Sequence, residues 1–247
     1  MSGTQASLNY LIYGDFGTGK SHILSTSRLP LYVHSFDAGG TKVDCLRDLA
    51  EKNLAILDTS CENEDWKNPW AFAAWEKQFQ QLYSSGAFNH IGTYALDSLS
   101  FFGAAIMNAV LKKGGRAGTL PQQQDYYYYR ELLFDVVSKL SALPCDIVFT
   151  AHVSVSKDEV TGATRSTIKT VGSAKEDLPA VFDMVLLADV VTKTSGDPEY
   201  RVQVKPTARL RARARIGSSK LSPYEKPDLM AIRTKAGRPI DHLPPFA

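Results

Sequence analysis

The 247-residue chain has only three cysteines, Cys45, Cys61 and Cys145. They are odd in number, far apart and without a CxxC pair, which excludes a disulfide framework and a cysteine zinc site. The five histidines are scattered, with no pair at metal-ligand spacing. No stretch approaches the roughly 18 apolar residues of a membrane-spanning helix. Met1 to Asn9 has neither a basic nor a long apolar region, so secretion is not expected and a reducing, cytoplasmic setting is. Charge of one sign is also missing: 28 Lys and Arg against 26 Asp and Glu leave +2. As a whole-chain average this shows no nucleic-acid partner. What remains is 44% hydrophobic and 22% charged residues, the balance of a folded chain with one sizeable domain or one with a modest appendage.

Short apolar runs alternate with longer helical patterns, which predicts an α/β fold with a mostly parallel central sheet flanked by helices. Strands are expected at Leu8–Tyr13, Leu31–Phe36, Ala55–Leu57, Thr93–Leu96 and Ile147–Ala151. Helices are expected over Lys20–Ser27, Val43–Lys52, Trp70–Tyr83, Phe101–Leu111 and Asp125–Leu143, the last stopping at Pro144. Cys61–Pro69 is polar and acidic and reads as a surface loop. After His152 the character changes. Val153–Val171, with Thr161-Gly162 at its centre, reads as a hairpin, and Met184–Val191 and Tyr200–Val204 read as antiparallel strands. This divides the chain into a core over residues 1–192 and a basic, β-rich C-terminal extension over 193–247, packed on the core as one unit.

Gly14-Asp15-Phe16-Gly17-Thr18-Gly19-Lys20-Ser21, followed by His22, matches GxxxxGK[ST] in full. Glycines let backbone N–H groups turn inward around phosphates. Lys20 is placed to reach the β- and γ-phosphates of ATP, and the Ser21 hydroxyl to bind magnesium. An apolar run before the loop and a helical pattern after it supply the expected context. Such a site also needs a carboxylate at the end of a neighbouring strand. Asp97, after Thr93-Tyr94-Ala95-Leu96, is the candidate metal ligand; the alternative is a helix N-cap.

The order of P-loop, strand ending Phe36-Asp37-Ala38-Gly39-Gly40, strand ending Leu96-Asp97-Ser98 and strand ending Phe149-Thr150-Ala151-His152 resembles the RecA-like ATPase core. Within it, the chain is most similar to the phage-encoded RecA-like single-strand annealing ATPases, the Sak group. Gly172, the segment Leu178-Pro179-Ala180-Val181-Phe182-Asp183 and the basic C-terminal stretch add to the likeness. The resemblance implies a RecA-like core, a host-cytoplasmic location and ATP with Mg2+ as cofactors. Its implied partners are single-stranded DNA, a single-strand-binding protein, and further copies of the chain in a ring or filament with ATP at the subunit interface. It implies that His152 senses the γ-phosphate and reports to the segment that follows. It also exposes a departure: the glutamate that activates water in RecA-like enzymes falls at Gly39, leaving Asp37 or an acidic residue from elsewhere as the base. Three functions stand: a DNA-annealing recombinase, another DNA-processing motor or helicase loader, or a nucleotide-gated scaffold that does not hydrolyse.

Three segments are candidate DNA contacts. One is the glycine-rich loop with Lys112, Lys113 and Arg116, expected to be mobile. Another is the hairpin with Lys157, Arg165, Lys169 and Lys175. The third is 201–220, with seven basic and no acidic residues, including Arg209, Arg211, Arg213 and Arg215. Alternation would put those four on one strand face, to contact phosphates, to reach a neighbour's γ-phosphate as fingers, or to face solvent. Tyr126–Tyr129 is open to base stacking or to core packing, since consecutive helical residues point in different directions. Resolved along the chain, the charge splits. Residues 1–200 hold 17 basic and 23 acidic residues, a balance of −6, and residues 201–247 hold 11 and 3, a balance of +8.

Overall fold

The computed structural model describes residues 7–157, 164–207 and 212–246. Its strands are β1 (Asn9–Gly14), β2 (Leu31–Ser35), β3 (Ala55–Asp58), β4 (Thr93–Asp97), β5 (Asp146–Lys157), β6 (Thr164–Ile168), β7 (Met184–Thr192), β8 (Pro198–Gln203), β9 (Arg213–Ala214) and β10 (Tyr224–Glu225). The helices are α1 (Lys20–Leu24), α2 (Asp44–Glu51), α3 (Ala71–Ser84), α4 (Leu99–Lys113), α5 (Gln123–Ser141), α6 (Ala174–Asp177) and α7 (Leu229–Lys235). Parallel pairing in the order β3-β2-β4-β5-β1-β7 forms the centre of the sheet, and β8 and β10 continue it antiparallel. This is the expected α/β architecture.

The central strands read as unbroken apolar runs because both sheet faces are covered. On one face Leu11, Tyr13, Leu96 and Phe149 pack with Phe72 and Trp75 of α3, Phe102 and Ile106 of α4 and Leu133 and Val137 of α5. On the other, Ile12, Val33, Val148 and Leu186 pack with Ile23 and Leu24 of α1, Leu46 of α2 and Leu229 and Ile232 of α7. Between β1 and β2 the chain crosses to the far side of β5 and β4, and the C-terminal ends of strands at such a crossing are where open α/β sheets bind ligands.

Several expectations are corrected. α1 ends at Leu24 rather than Ser27, because the Ser25 and Thr26 hydroxyls donate to His22 and Ile23 carbonyls and close the chain into turns. β5 does not stop at Ala151. It runs through His152 to Lys157 because its second half pairs antiparallel with β6, forming the expected hairpin. The central turn of that hairpin, Thr161-Gly162, lies outside the described residues. The C-terminal region carries the expected antiparallel strands β8 and β10 and also includes the unforeseen α7, whose Asp228 carboxylate caps the Ala231 N–H. Seven residues are too few for a periodic signal. The division at 192/193 falls in the β7–β8 connection, between two paired strands of one sheet. Cys61, expected on a surface loop, is buried beside α3. Among the described residues no helix is long and apolar enough to cross a membrane.

Candidate active site

Register brings the sequence-distant candidates to one edge. Gly14 of β1 is level with His152 of β5, and Ser35 of β2 is level with Asp97 of β4. In the loop after β1, Asp15, Phe16 and Gly17 are exposed, whereas Thr18 is buried with its hydroxyl donating to Asp15 O at 2.8 Å. Gly17 and Gly19 take φ values of 73° and 82°. The Lys20 ammonium is folded inward and donates to Gly14 O at 3.0 Å and Asp15 O at 2.7 Å. Burial lowers its pKa, opposed by the nearby Asp97, Asp15 and Asp37 carboxylates. His22 is exposed on α1, and its Nδ1 lies 3.2 Å from Cys45 Sγ on α2.

Asp97 is 3% exposed at the end of β4. Ser21 Oγ donates to its Oδ2 at 3.3 Å, and the Thr150 hydroxyl donates to Oδ1. The residue preceding α4 as its N-cap is Ser98, and the bonds of the Asp97 carboxylate go across the sheet instead. Burial raises its pKa, and Asp37 adds to that, against the two hydroxyl donors and Lys20. Thr150 was not foreseen. Its signal, a hydroxyl inside an apolar strand run, becomes informative only when β5 is placed beside β4.

The turn after β2 explains the departure at Gly39. Phe36 N and Asp37 N both donate to Asp97 O, and Gly40 N donates to Asp37 O. Gly39 sits at φ 103°, a conformation that a glutamate would adopt only with strain. A Cβ on Gly40 would lie 2.6 Å from Asp97 Oδ2. The turn is therefore shaped around the Asp97 carboxylate, and its acidic residue is Asp37. Asp37 Oδ2 lies 3.1 Å from His152 Nε2, both side chains are 29% exposed, and Phe101 meets the imidazole edge-on. Ser100 Oγ accepts from His152 N at 3.0 Å and donates to Lys169 O at 2.7 Å, while Lys169 N donates to His152 O. Glu62 also reaches this edge, accepting from Ser35 Oγ at 2.5 Å.

A hydroxyl and a carboxylate with all-oxygen donors fit magnesium, which binds through one or two protein groups and keeps its remaining positions for water and phosphate. No cluster of three acidic, His or Cys residues at metal distance exists among the described residues. Ser21 and Asp97 are the two groups that would hold the ion.

The DNA candidates are placed unevenly. Lys113 ends α4, and Lys112 Nζ donates to Pro69 O. The loop read as mobile is tied down, because Arg116 makes a two-pronged ion pair with Asp125 at 2.5 and 2.9 Å. Lys157 and Arg165 occupy register positions in the β5–β6 ribbon, their side chains outside the described residues, and Lys175 lies on α6. Arg209 and Arg211 fall outside the described residues. The strand at Arg213–Ala214 is only two residues long. Arg213 donates to the Pro179, Ala180 and Phe182 carbonyls and Arg215 to Ala180 O, so both guanidinium groups are engaged within the chain. Tyr129 is buried and bonds Thr170 Oγ1 at 2.6 Å, while Tyr126, Tyr127 and Tyr128 stay exposed.

A family model described as an AAA domain matches residues 6–216. No curated protein matches the chain in sequence.

Proposed function

The chain belongs to the AAA domain family, with the core of a P-loop NTPase, and on that premise we propose that it hydrolyses ATP while binding single-stranded DNA, as a recombinase that promotes annealing or strand exchange. The observation that carries the ATPase half is the convergence of Lys20, Ser21, Asp97, Asp37 and His152 on one sheet edge. The glycine-rich loop presents its N–H groups to the triphosphate, and Lys20 leaves the loop carbonyls to meet the phosphates. Magnesium, when bound, neutralises charge that builds on the phosphate oxygens. Asp37 takes the proton of the attacking water, a role that needs hydrogen-bond reach. His152 holds the Asp37 carboxylate in place, and Phe101 and Ser100 fix His152.

The DNA half rests on the charge split, on the exposed Tyr126–Tyr128 beside basic loops, and on the link from His152 through Ser100 to Lys169. Loss of the terminal phosphate alters what His152 contacts, and its two backbone bonds to Lys169 and Ser100 carry that change into the β5–β6 ribbon. The resemblance to annealing ATPases supplies the reaction and a ring or filament with ATP between subunits. A second reading, a nucleotide-gated scaffold, is favoured by the left-handed turn at Gly39, which withholds a glutamate from the water.

ATP turnover measured with and without single-stranded DNA tests the proposal. Turnover should rise with DNA and fall at least about a hundredfold in Lys20→Ala. Binding without turnover would favour the scaffold. Turnover without annealing of complementary oligonucleotides would favour a motor or loader.

A further inference from the structure

The P-loop accounts for phosphates but leaves the base of the nucleotide without a site. β7 stays paired with β1 as far as Leu187 and Tyr13, then runs on to Thr192 alongside β8, so the hairpin projects past the loop. It also abuts the loop, since a Cβ on Gly14 would lie 2.6 Å from Ala188 O. Ala188 is paired with Val202 and Val190 with Tyr200. Val202 and Ala188 are buried in the cluster that holds Ile23 and Leu24 of α1. Alternation along β8 puts Tyr200 on that same face, one step further out. There it stands against the last glycine of the loop: a Cβ on Gly19 would be 3.5 Å from Tyr200 Cδ1 and 3.9 Å from Cε1.

The neighbouring side chain behaves differently. Arg201 points to the opposite face, pairs with Asp189 at 2.8 Å and lies 3.9 Å over the Tyr224 ring, fully engaged within the fold. Tyr200 is 47% exposed, and among the described residues its hydroxyl has no hydrogen-bond partner. An aromatic ring kept half in water beside a phosphate-cradling loop gains little from its position in the free protein. It offers a flat apolar platform with a polar tip, the chemistry that receives a heteroaromatic ring.

We propose that Tyr200 is the base-binding wall of the nucleotide site, stacking on the purine of a nucleoside triphosphate whose phosphates lie on Gly14–Ser21. The proposal rests on the nucleotide reading above. Tyr200 recognises a ring face rather than an edge, so it contributes affinity for the nucleoside half of the ligand and none for the phosphate half.

The test compares binding of ATP and of inorganic tripolyphosphate, each with magnesium, to the full chain and to Tyr200→Ala, Tyr200→Phe and Lys20→Ala. Tyr200→Ala should weaken ATP about tenfold and leave tripolyphosphate unchanged. Tyr200→Phe, which keeps the ring, should bind ATP near the unsubstituted level. Lys20→Ala should weaken both ligands. Unchanged ATP affinity in Tyr200→Ala, or equal loss of both ligands, would overturn the base-binding role while leaving the P-loop reading standing. Unaltered binding of both ligands by Lys20→Ala would overturn the phosphate site, and the base wall with it.

Discussion

Two aspartates at opposite ends of the sheet are buried almost equally, Asp97 at 3% exposed and Asp146 at 2%. Their surroundings differ in kind. Asp146, at the start of β5, accepts two bonds from Arg233 Nη1 at 2.8 Å and one from Leu8 N at 2.8 Å. Its charge is balanced inside the protein by a side chain of α7 that is itself 1% exposed. Among the described residues the Asp97 carboxylate accepts bonds only from the Ser21 and Thr150 hydroxyls; the Lys20 ammonium lies nearby without bonding it, and Asp37 adds charge of the same sign. A buried carboxylate without a bonded cation costs free energy. At the N-terminal edge that cost is offset by a lock that fastens α7 to the core. At the C-terminal edge it persists, and it makes the edge receptive to an external cation and its phosphates.

Removing charges at each end separates the two roles. Arg233→Met strands Asp146 and should lower stability by about 3–5 kcal/mol, whereas the double change with Asp146→Leu should recover most of it, read by denaturant unfolding. If the single change is harmless, the lock is not one. At the other edge the sign should reverse. Asp97→Asn removes a buried charge that no cation bonds directly and keeps an acceptor for the hydroxyls, so the unfolding midpoint should hold or rise. Magnesium-dependent nucleotide binding should fall roughly 10–100-fold in the same variant. A large loss of stability in Asp97→Asn would show instead that both aspartates are structural.

A third acidic position gives the smallest effect and sharpens the contrast. Asp58, at the end of β3, is held below the ordinary carboxylate range, mainly by its bond to the buried His34 and further by Ser60. Because the folded pKa is depressed, the stabilisation is present above the ordinary carboxylate pKa and is lost as pH falls below it. Asp58→Asn should be slightly less stable at neutral pH, with an acid-unfolding midpoint raised by a few tenths of a pH unit. An unchanged acid limb would show that the His34 contact contributes nothing.

Much of this was legible in one dimension. The P-loop is contiguous, so its eight residues carry their own chemistry, and the strand-end positions of Asp37 and Asp97 follow from where apolar runs stop. What could not be read were partners supplied by other strands. Thr150 is one hydroxyl within an apolar run until β5 lies beside β4. Gly40 is one more glycine until the Asp97 oxygen is found where its Cβ would stand. The arginines at 213 and 215 read as a free basic face because nothing local shows that the 179–182 turn folds under them. Arg233 carries no sequence signal, since its partner is 87 residues away.

The sequence alone determined the order of the core strands and helices up to β5, the phosphate loop and the acidic-core, basic-tail split, because each depends on neighbouring residues or on simple counting. Tertiary structure alone decided which carboxylate is bonded directly to an internal cation, that Asp37 faces His152, and that Tyr200 stands over Gly19. Those facts depend on register and on which face a side chain takes, and long-range packing sets both.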